Sequence, residues 1–229
     1  MTTSKRKTTH PEWILVTGQP GSGKTTAVKK LVDFLHSRGQ RCKGFYTDEV
    51  LDPKTKSRIG FDVVTVPDGK RGILSRKAGY GVQTKYKTGQ YFVDADSFEA
   101  MALPSLEKNE VSTPKTASKK QKLNKSSRRS DDINKTGEDD DTILVLDEIG
   151  RMELHSTAFS DRVRDLLGEQ SSRNRLVGAI TAPIYGHRVP FCDEVAAMDG
   201  VEVHKLTKKT RGDVVEGLLE SISDRGWVI

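Results

Sequence analysis

Short, continuous runs of apolar residues recur along the chain at about positions 13–17, 142–147, 176–180 and 201–206. Runs of this length, without alternation of apolar and polar residues, are typical of strands buried on both faces of a sheet. Between them, apolar residues recur three or four positions apart, which predicts helices over about 24–37, 156–167, 192–198 and 211–223. Buried strands that alternate with helices predict an α/β fold with a mainly parallel sheet flanked by helices.

A strand-rich region follows the first predicted helix. The β-rich runs 42–50 and 58–66 are joined by the turn-forming sequence Asp-Pro-Lys-Thr, so they predict a β-hairpin inserted into the fold. Residues 91–93, Tyr-Phe-Val, predict another strand. Ser97 can cap the amino end of a helix that runs to about Leu106.

The composition changes between residues 107 and 141, where the only large apolar residues are Val111, Leu123 and Ile133. Residues 115–129 hold seven basic residues and no acidic one, and residues 130–141 hold six acidic residues and one lysine. Such a stretch cannot bury enough apolar surface to offset the entropy lost on ordering. We therefore predict a disordered basic tail over 1–11 and one domain over 12–229, interrupted by a disordered charged insertion over 107–141.

The insertion has two interpretations. The favoured one is a tolerated surface loop. The other is a nuclear-localisation or protein-docking segment within 115–141. The net charge is +6, but much of the basic excess lies in the tail and in this insertion. Because residues 115–129 contain no aromatic side chain, we do not expect a nucleic-acid partner.

The two cysteines, Cys42 and Cys192, have no spacing that indicates a zinc site, and we interpret them as reduced structural thiols. No apolar run approaches the ~18 residues of a membrane span, and the amino-terminal stretch has no apolar core typical of a secretory signal. These features predict a cytoplasmic or nuclear protein without a membrane partner.

The most informative motif is Gly-Gln-Pro-Gly-Ser-Gly-Lys-Thr at 18–25, which fits the phosphate-binding pattern GxxxxGK[ST] between a predicted strand and a predicted helix. Its glycines let backbone N–H groups face a phosphate, and the helix start adds its positive end. Lys24 can reach the β- and γ-phosphates, and the Thr25 hydroxyl can ligate Mg²⁺. The predicted nucleotide-binding residues here are Gly18, Gln19, Pro20, Gly21, Ser22, Gly23, Lys24, Thr25 and Thr26.

A second motif ends the apolar run at 142–147 with Asp147 and Glu148. In a P-loop fold this strand end faces the metal, so Asp147 is predicted to hold Mg²⁺ together with Thr25. Glu148 can accept a proton from an attacking water, and the predicted catalytic set is Lys24, Asp147 and Glu148. The nucleotide-binding prediction for this segment covers Ile143, Leu144, Val145, Leu146, Asp147, Glu148, Ile149 and Gly150.

Several segments, in order, resemble the THEP-type nucleoside-triphosphatase family, which includes the cancer-related nucleoside-triphosphatase of animals. They are Val-Thr-Gly-Gln-Pro-Gly-Ser-Gly-Lys-Thr-Thr at 16–26, Gly-Phe-Tyr-Thr at 44–47, Arg-Ile-Gly-Phe-Asp-Val-Val-Thr at 58–65, Gly-Gln-Tyr-Phe-Val-Asp at 89–94 with Ser-Phe-Glu at 97–99, and Val-Leu-Asp-Glu-Ile-Gly-Arg-Met-Glu-Leu at 145–154. The resemblance implies a RecA-like P-loop NTPase fold. It also implies Mg²⁺-dependent hydrolysis of nucleoside triphosphates, with broad tolerance for the base. The charged insertion departs from the family pattern, and residues 183–188 match it loosely.

Phosphoryl transfer calls for a cation that neutralises charge, and Arg58, Arg76, Arg151 and Arg188 are the candidates. Arg58 and Arg151 lead because they lie in the segments that resemble the family, although a structural role is the more usual one for each. His187 can approach a base or a phosphate, but a solvated position is more usual. Tyr46 and Phe61 can stack on a nucleobase, but packing within the sheet is the better expectation.

Three functions stay open. The first is hydrolysis of a nucleoside triphosphate to a diphosphate and phosphate. The second is a nucleotide or metabolite kinase built on the same loop, although no arginine-rich lid is evident. The third is a nucleotide-gated interaction module with the insertion as its docking arm.

Overall fold

The structure, a computed structural model, describes residues 12–107, 142–168, 175–183 and 186–228. Within these residues the strands are β1 (Glu12–Gly18), β2 (Cys42–Leu51), β3 (Arg58–Val66), β4 (Arg71–Lys77), β5 (Lys87–Thr88), β6 (Tyr91–Val93), β7 (Ile143–Ile149), β8 (Arg175–Thr181) and β9 (Val201–Lys205). The helices are α1 (Lys24–Ser37), α2 (Ala95–Leu106), α3 (Thr157–Gly168), α4 (Pro190–Ala196) and α5 (Arg211–Asp224).

The strands form one sheet in the order β5-β6-β4-β3-β2-β7-β8-β1-β9. The pairs β2–β7, β7–β8, β8–β1 and β1–β9 are parallel, whereas β3, β4, β5 and β6 extend the sheet with antiparallel pairs. β8 therefore lies between β1 and β7, the two strands that carry the predicted motifs. Since parallel strands end at the same edge of a sheet, both motifs and the end of β8 meet there.

The sheet separates two hydrophobic cores, and the alternation of side chains along β1 shows how. Trp13 and Leu15 pack into the core that α2, α3 and α4 cover, while Ile14 and Val16 pack into the core that α1 and α5 cover. All four side chains are fully buried. Neither face of β1 meets water, which is why its sequence is a continuous apolar run.

An aromatic trio anchors two helices to the sheet. Phe45 of β2, Phe98 of α2 and Phe159 of α3 pack edge to face, with ring centroids 5.2–5.8 Å apart. This arrangement of aromatic rings adds to the free energy gained by burying their area. The trio fixes α2 and α3 on the same face of the sheet.

The structure confirms the predicted helices α1, α3, α4 and α5 and the hairpin formed by β2 and β3. The hairpin is not a separate insertion, because β2 also pairs in parallel with β7 and so belongs to the central sheet. The predicted Ser97 cap was wrong: the capping residue is Asp94, three positions earlier, and its side chain accepts the Ser97 N–H.

Three strands differ from the sequence prediction, and one of them, the two-residue β5, was not predicted at all. β4 was missed, since Arg71–Lys77 combines charged residues with only a few apolar ones. β9 was predicted to be buried, but it is the edge strand beyond β1, and Val203 is 37% exposed. Apolar residues on an edge strand can resemble those of a buried one in sequence, because the pattern does not reveal the order of strands in the sheet.

The predicted tail at 1–11 and residues 108–141 of the predicted insertion lie outside the described residues. Within the described part of the chain, no helix combines the length and the apolar character that crossing a bilayer requires.

Candidate active site

The loop between β1 and α1 curls tightly around the amino end of the helix. Gly23 has a φ of +96°, in the left-handed region that glycine adopts without strain. A side chain at Gly18 would place its Cβ only 2.5 Å from both the Leu206 carbonyl oxygen and Ser22 Oγ. Both glycines are thus required by the backbone, which keeps the amino end of α1 open toward a phosphate.

Lys24 and Glu148 face each other across this edge of the sheet. The Lys24 ammonium nitrogen lies 3.1 Å from Glu148 Oε2 and donates to the Gly18 carbonyl over 3.2 Å. The Lys24 side chain is only 11% exposed. Because water screens the pair poorly at this exposure, the attraction between the two charges is stronger than in an exposed ion pair. The structure therefore brings together two residues that lie 124 positions apart in sequence.

Asp147 lies at the end of β7 and is fully buried. Neither carboxylate oxygen has an aligned hydrogen-bond partner in the described part of the chain. Burial, reinforced by the charge of Glu148, raises the pKa of Asp147 to about 7. The Thr25 hydroxyl, the Lys24 charge and the Thr47 amide favour the ionised form, but burial outweighs them. An orphaned buried carboxylate facing a hydroxyl is the donor set that Mg²⁺ suits, so these residues fit the predicted metal.

Three acidic, histidine or cysteine side chains that could hold a metal by themselves do not occur together among the described residues.

The burial of Asp147 leads to a prediction about stability. Its pKa in the folded protein lies above the ordinary value of 3.8, so between about pH 4 and pH 7 the folded state holds a proton that the unfolded state has lost. This group therefore lowers the free energy of unfolding as pH rises through that range. Asp147→Asn removes the unfavourable buried charge. Without nucleotide and metal, it should raise the melting temperature at pH 8 by about 3–6 °C, which corresponds to a gain of ~1–2 kcal/mol in the free energy of unfolding.

The measurement is thermal unfolding in EDTA at pH 5 and pH 8, with Asp199→Asn, an exposed aspartate in a loop, as the matched control. The Asp147→Asn gain should shrink at pH 5, whereas the control should show no pH-dependent difference. An equal gain at both pH values would show that the Asp147 charge is not the cause.

A third carboxylate lies beside Glu148, and the sequence analysis did not single it out. Glu153 begins a 3₁₀ turn after β7 and is 4% exposed. Its Oε2 and Glu148 Oε1 converge beside Gly150, at 2.8 and 2.7 Å from the point where a Cβ would lie. Burial, followed by the charge of Glu148, raises the pKa of Glu153 well above its ordinary value. The signal was its place in the segment 145–154, one of those that resemble the family.

These side chains surround a cavity of about 760 Å³ at the carboxyl ends of β1, β7 and β8. One wall is the loop before α1, and the opposite wall comes from β2, β3 and β4. The lining residues are Gly18, Pro20, Gly21, Gly23, Lys24, Thr25, Thr26, Lys29, Thr47, Asp48, Glu49, Arg58, Phe61, Leu74, Thr88, Glu148, Arg151, Met152, Glu153, Thr181, Ala182 and Arg211.

Other residues predicted to bind nucleotide lie outside this lining. The side chains of Ile143, Leu144, Val145, Leu146 and Ile149 are buried in the two cores, because helices cover both faces of β7. Their packing stabilises β7, the strand that carries Asp147 and Glu148. Ser22 is buried within the loop, and Gln19 donates its side-chain N–H to the Pro183 carbonyl over 2.9 Å.

Two of the four candidate arginines reach the cavity. Arg58 lies at its far end, 2.5 Å from Glu49, and donates to the Tyr91 hydroxyl over 3.1 Å. Arg151 follows β7 and donates to the His187 carbonyl over 2.6 Å. Both guanidinium groups are thus held in place at the lining by other residues.

The remaining candidates lie elsewhere. Arg76 pairs with Asp62 at 2.6 Å within the sheet, and Arg188 forms a two-pronged ion pair with Asp193 on the surface. The Tyr46 ring packs under the Lys29 ammonium group, 4.1 Å from its centre. His187 is exposed. None of these four side chains lines the cavity in the described part of the chain.

The cavity has a glycine-rich loop between a buried strand and a helix on one side, and the acidic end of a second buried strand on the other. This arrangement defines a P-loop nucleotide-binding protein. The sequence profile of the family described as NTPase matches residues 13–114 and 110–219. The chain belongs to this family, which confirms the resemblance seen in the sequence.

Relatives with known names agree with this placement. Nucleoside-triphosphatase THEP1 of Aquifex aeolicus (strain VF5) is 34% identical over 207 residues, covering 90% of this chain and 96% of that protein. The crystal structure of THEP1 from Aquifex aeolicus matches with a TM-score of 0.66 at 30% identity, covering 91% of this chain and 98% of that one. The solution structure of a human cancer-related nucleoside triphosphatase also matches with a TM-score of 0.66, at 33% identity, covering 93% of this chain and 98% of that one. These likenesses confirm the predicted fold class.

Proposed function

We propose that the protein hydrolyses nucleoside triphosphates to nucleoside diphosphates and phosphate with Mg²⁺, and with broad tolerance for the base. The observation that carries the proposal is the pairing of Glu148 with Lys24 at 3.1 Å in the cavity, one residue beyond the buried Asp147. On this proposal Glu148 is the proton acceptor, and it lies beside Lys24, the residue that would bind the γ-phosphate. The names of the relatives support the same activity.

Each of these residues has a separate role in the proposed mechanism. The N–H groups at the start of α1 and the Lys24 ammonium bind the β- and γ-phosphates. Thr25 and Asp147 are the residues that hold Mg²⁺, which when bound neutralises charge on the phosphate oxygens. Glu148 orients a water molecule and accepts its proton as the water oxygen bonds to the γ-phosphorus and the β–γ bridging bond breaks. Most of the rate acceleration comes from positioning the water and the triphosphate and from stabilising charge in the transition state, rather than from covalent catalysis.

Arg151 and Arg58 complete the proposal as cations for the negative charge that spreads over the phosphate oxygens in the transition state. Arg151 is the better placed, because it follows β7 directly and the His187 carbonyl fixes its orientation. Arg58 is tied to Glu49, which offsets part of its charge.

A phosphoryl transferase is the second candidate, because the cavity continues beyond Glu148. Its far wall combines Phe61, Leu74 and Thr88 with Arg58, which is more room than an attacking water needs. A hydroxyl-bearing small molecule in that space would use Glu148 as the same proton acceptor.

The deciding experiment is phosphate release from ATP, GTP, CTP and UTP without any acceptor, with Mg²⁺ or with EDTA. We expect phosphate from all four only with Mg²⁺, and rates for ATP and GTP within about a thousandfold, or ~4 kcal/mol. An absence of phosphate from every nucleotide would overturn hydrolysis and favour the transferase. Release that persists in EDTA would overturn the role of the metal.

A further inference from the structure

A second, smaller cavity opens beside the phosphate loop on the side of α5. Its volume is about 300 Å³, and it is lined by residues at the start of α1, by Lys208 and by the amino-terminal part of α5. Gly23, Thr26 and Arg211 line both cavities. The two spaces are therefore neighbours that share one wall.

The direction of a bound triphosphate follows from the main cavity. Lys24 and Glu148 mark the γ-phosphate end, since the lysine of this motif reaches the β- and γ-phosphates. The α-phosphate then meets the N–H groups at the start of α1, near Thr25 and Thr26. Because Thr26 lines both cavities, the second cavity is within reach of a nucleoside attached to the α-phosphate.

The second cavity has the surfaces that a nucleoside requires. Ala27 and Val215 give it an apolar floor, and both are buried. Lys30, Lys208 and Arg211 surround this floor with positive charge. None of the described residues that line it carries a carboxylate or an amide side chain. Side chains that could accept hydrogen bonds from base edges are thus limited to Thr26.

Arg211 is the residue best placed to contact the base. It is exposed, and its Nη1 lies 3.5 Å from the point where a Cβ on Gly23 would stand, so the guanidinium rests on the phosphate loop. Its side chain forms no hydrogen bond or ion pair with the rest of the described chain. A planar guanidinium that is free of partners can stack on a base, as arginine does on the faces of nucleobases.

We infer that this cavity is the nucleoside subsite and that Arg211 stacks on the base, an inference that rests on the proposed function. Stacking is tolerant of the base, because every base has a π-face. The subsite therefore takes purine and pyrimidine nucleoside triphosphates with little discrimination. The far end of the main cavity, at Phe61, lies beyond the γ-phosphate and stays open for water or an acceptor.

The experiment compares four Mg²⁺-bound ligands by titration calorimetry: ATP, UTP, ribose 5′-triphosphate and inorganic tripolyphosphate. The Glu148→Gln background is used, since turnover is expected to be slow there. Adding Arg211→Ala should weaken ATP and UTP about tenfold, within the range measured for base stacking, and change the two ligands without a base by less than about twofold. Arg211→Lys should behave like Arg211→Ala, because lysine keeps the charge but lacks the planar group.

Arg164→Ala, which removes an exposed arginine of α3 outside both cavities, is the matched control and should change none of the four affinities. Equal weakening of tripolyphosphate would show that Arg211 binds phosphate and would overturn the inference, as would no weakening at all. A base-dependent loss in Phe61→Ala instead would place the base at the far end and also overturn it. This experiment measures binding and does not depend on hydrolysis. If the parent protein fails to hydrolyse nucleotides, the proposed function is overturned, but the comparison of the four ligands still tests the role of Arg211.

Discussion

Glu148→Gln is expected to slow hydrolysis in a single turnover by about 10²–10⁴-fold, or ~3–5 kcal/mol of barrier, while nucleotide affinity stays within a few-fold of the parent. Glutamine keeps the size of the side chain and its capacity to hydrogen-bond, but it cannot accept the proton of the attacking water. Glu148 is the residue to test because it reaches the cavity, whereas the adjacent Asp147 is fully buried at the strand end.

Binding should survive because its main contacts lie elsewhere. In the proposed binding mode, the N–H groups of the loop and Lys24 hold the triphosphate, and neither requires the charge of Glu148. Affinity should even rise slightly, since Glu148 Oε2 lies 3.1 Å from the Lys24 ammonium and competes with the phosphate for it. Fluorescent-nucleotide binding and single-turnover hydrolysis, measured on the same preparation, separate the two effects.

Glu220→Gln, an exposed glutamate of α5, is the matched control and should leave both quantities unchanged. If Glu148→Gln hydrolyses at the parent rate, Glu148 is not the proton acceptor. Attention would then turn to Glu153, which is buried beside it in the same cavity.

Lys24→Ala should lower kcat/KM by about 10²–10³-fold, the loss typical of removing one preorganised charge or donor from a transition state. The side chain is shielded from water and held at the mouth of the loop by the Gly18 carbonyl, so its charge acts at short range on the β- and γ-phosphates. Unlike Glu148→Gln, this change should weaken nucleotide binding as well as turnover.

Steady-state hydrolysis of ATP and GTP, together with nucleotide titration, checks the Lys24 prediction. Lys54→Ala removes an exposed lysine from the turn between β2 and β3 and serves as the matched control. A Lys24→Ala protein that binds and hydrolyses both nucleotides at the parent level would contradict the assignment of the phosphate-binding loop.

The boundaries of the elements show where sequence patterns are informative. α1 was predicted at 24–37 and is observed at Lys24–Ser37, because its apolar residues lie on one face and Gly39 follows it. β4 escaped prediction, because Arg71–Lys77 contains only Ile73 and Leu74 as large apolar residues and has charged residues at both ends. The helix cap at Asp94 was missed, since Ser97 and Asp94 are equally acceptable caps until the end of β6 is fixed.

For the site, local sequence determined the phosphate loop, because its glycine spacing and the following lysine and threonine act through the backbone of eight consecutive residues. The sequence also marked Asp147 and Glu148, since they are the first charged residues after a continuous apolar run, and β7 carries both near its carboxyl end. Only the tertiary structure decided what these groups meet. It placed β8 between β1 and β7, brought Lys24 to Glu148, buried Glu153 beside them and set Arg211 against Gly23. Those contacts join residues far apart in the chain, and strand order and helix packing determine them, neither of which a local pattern encodes.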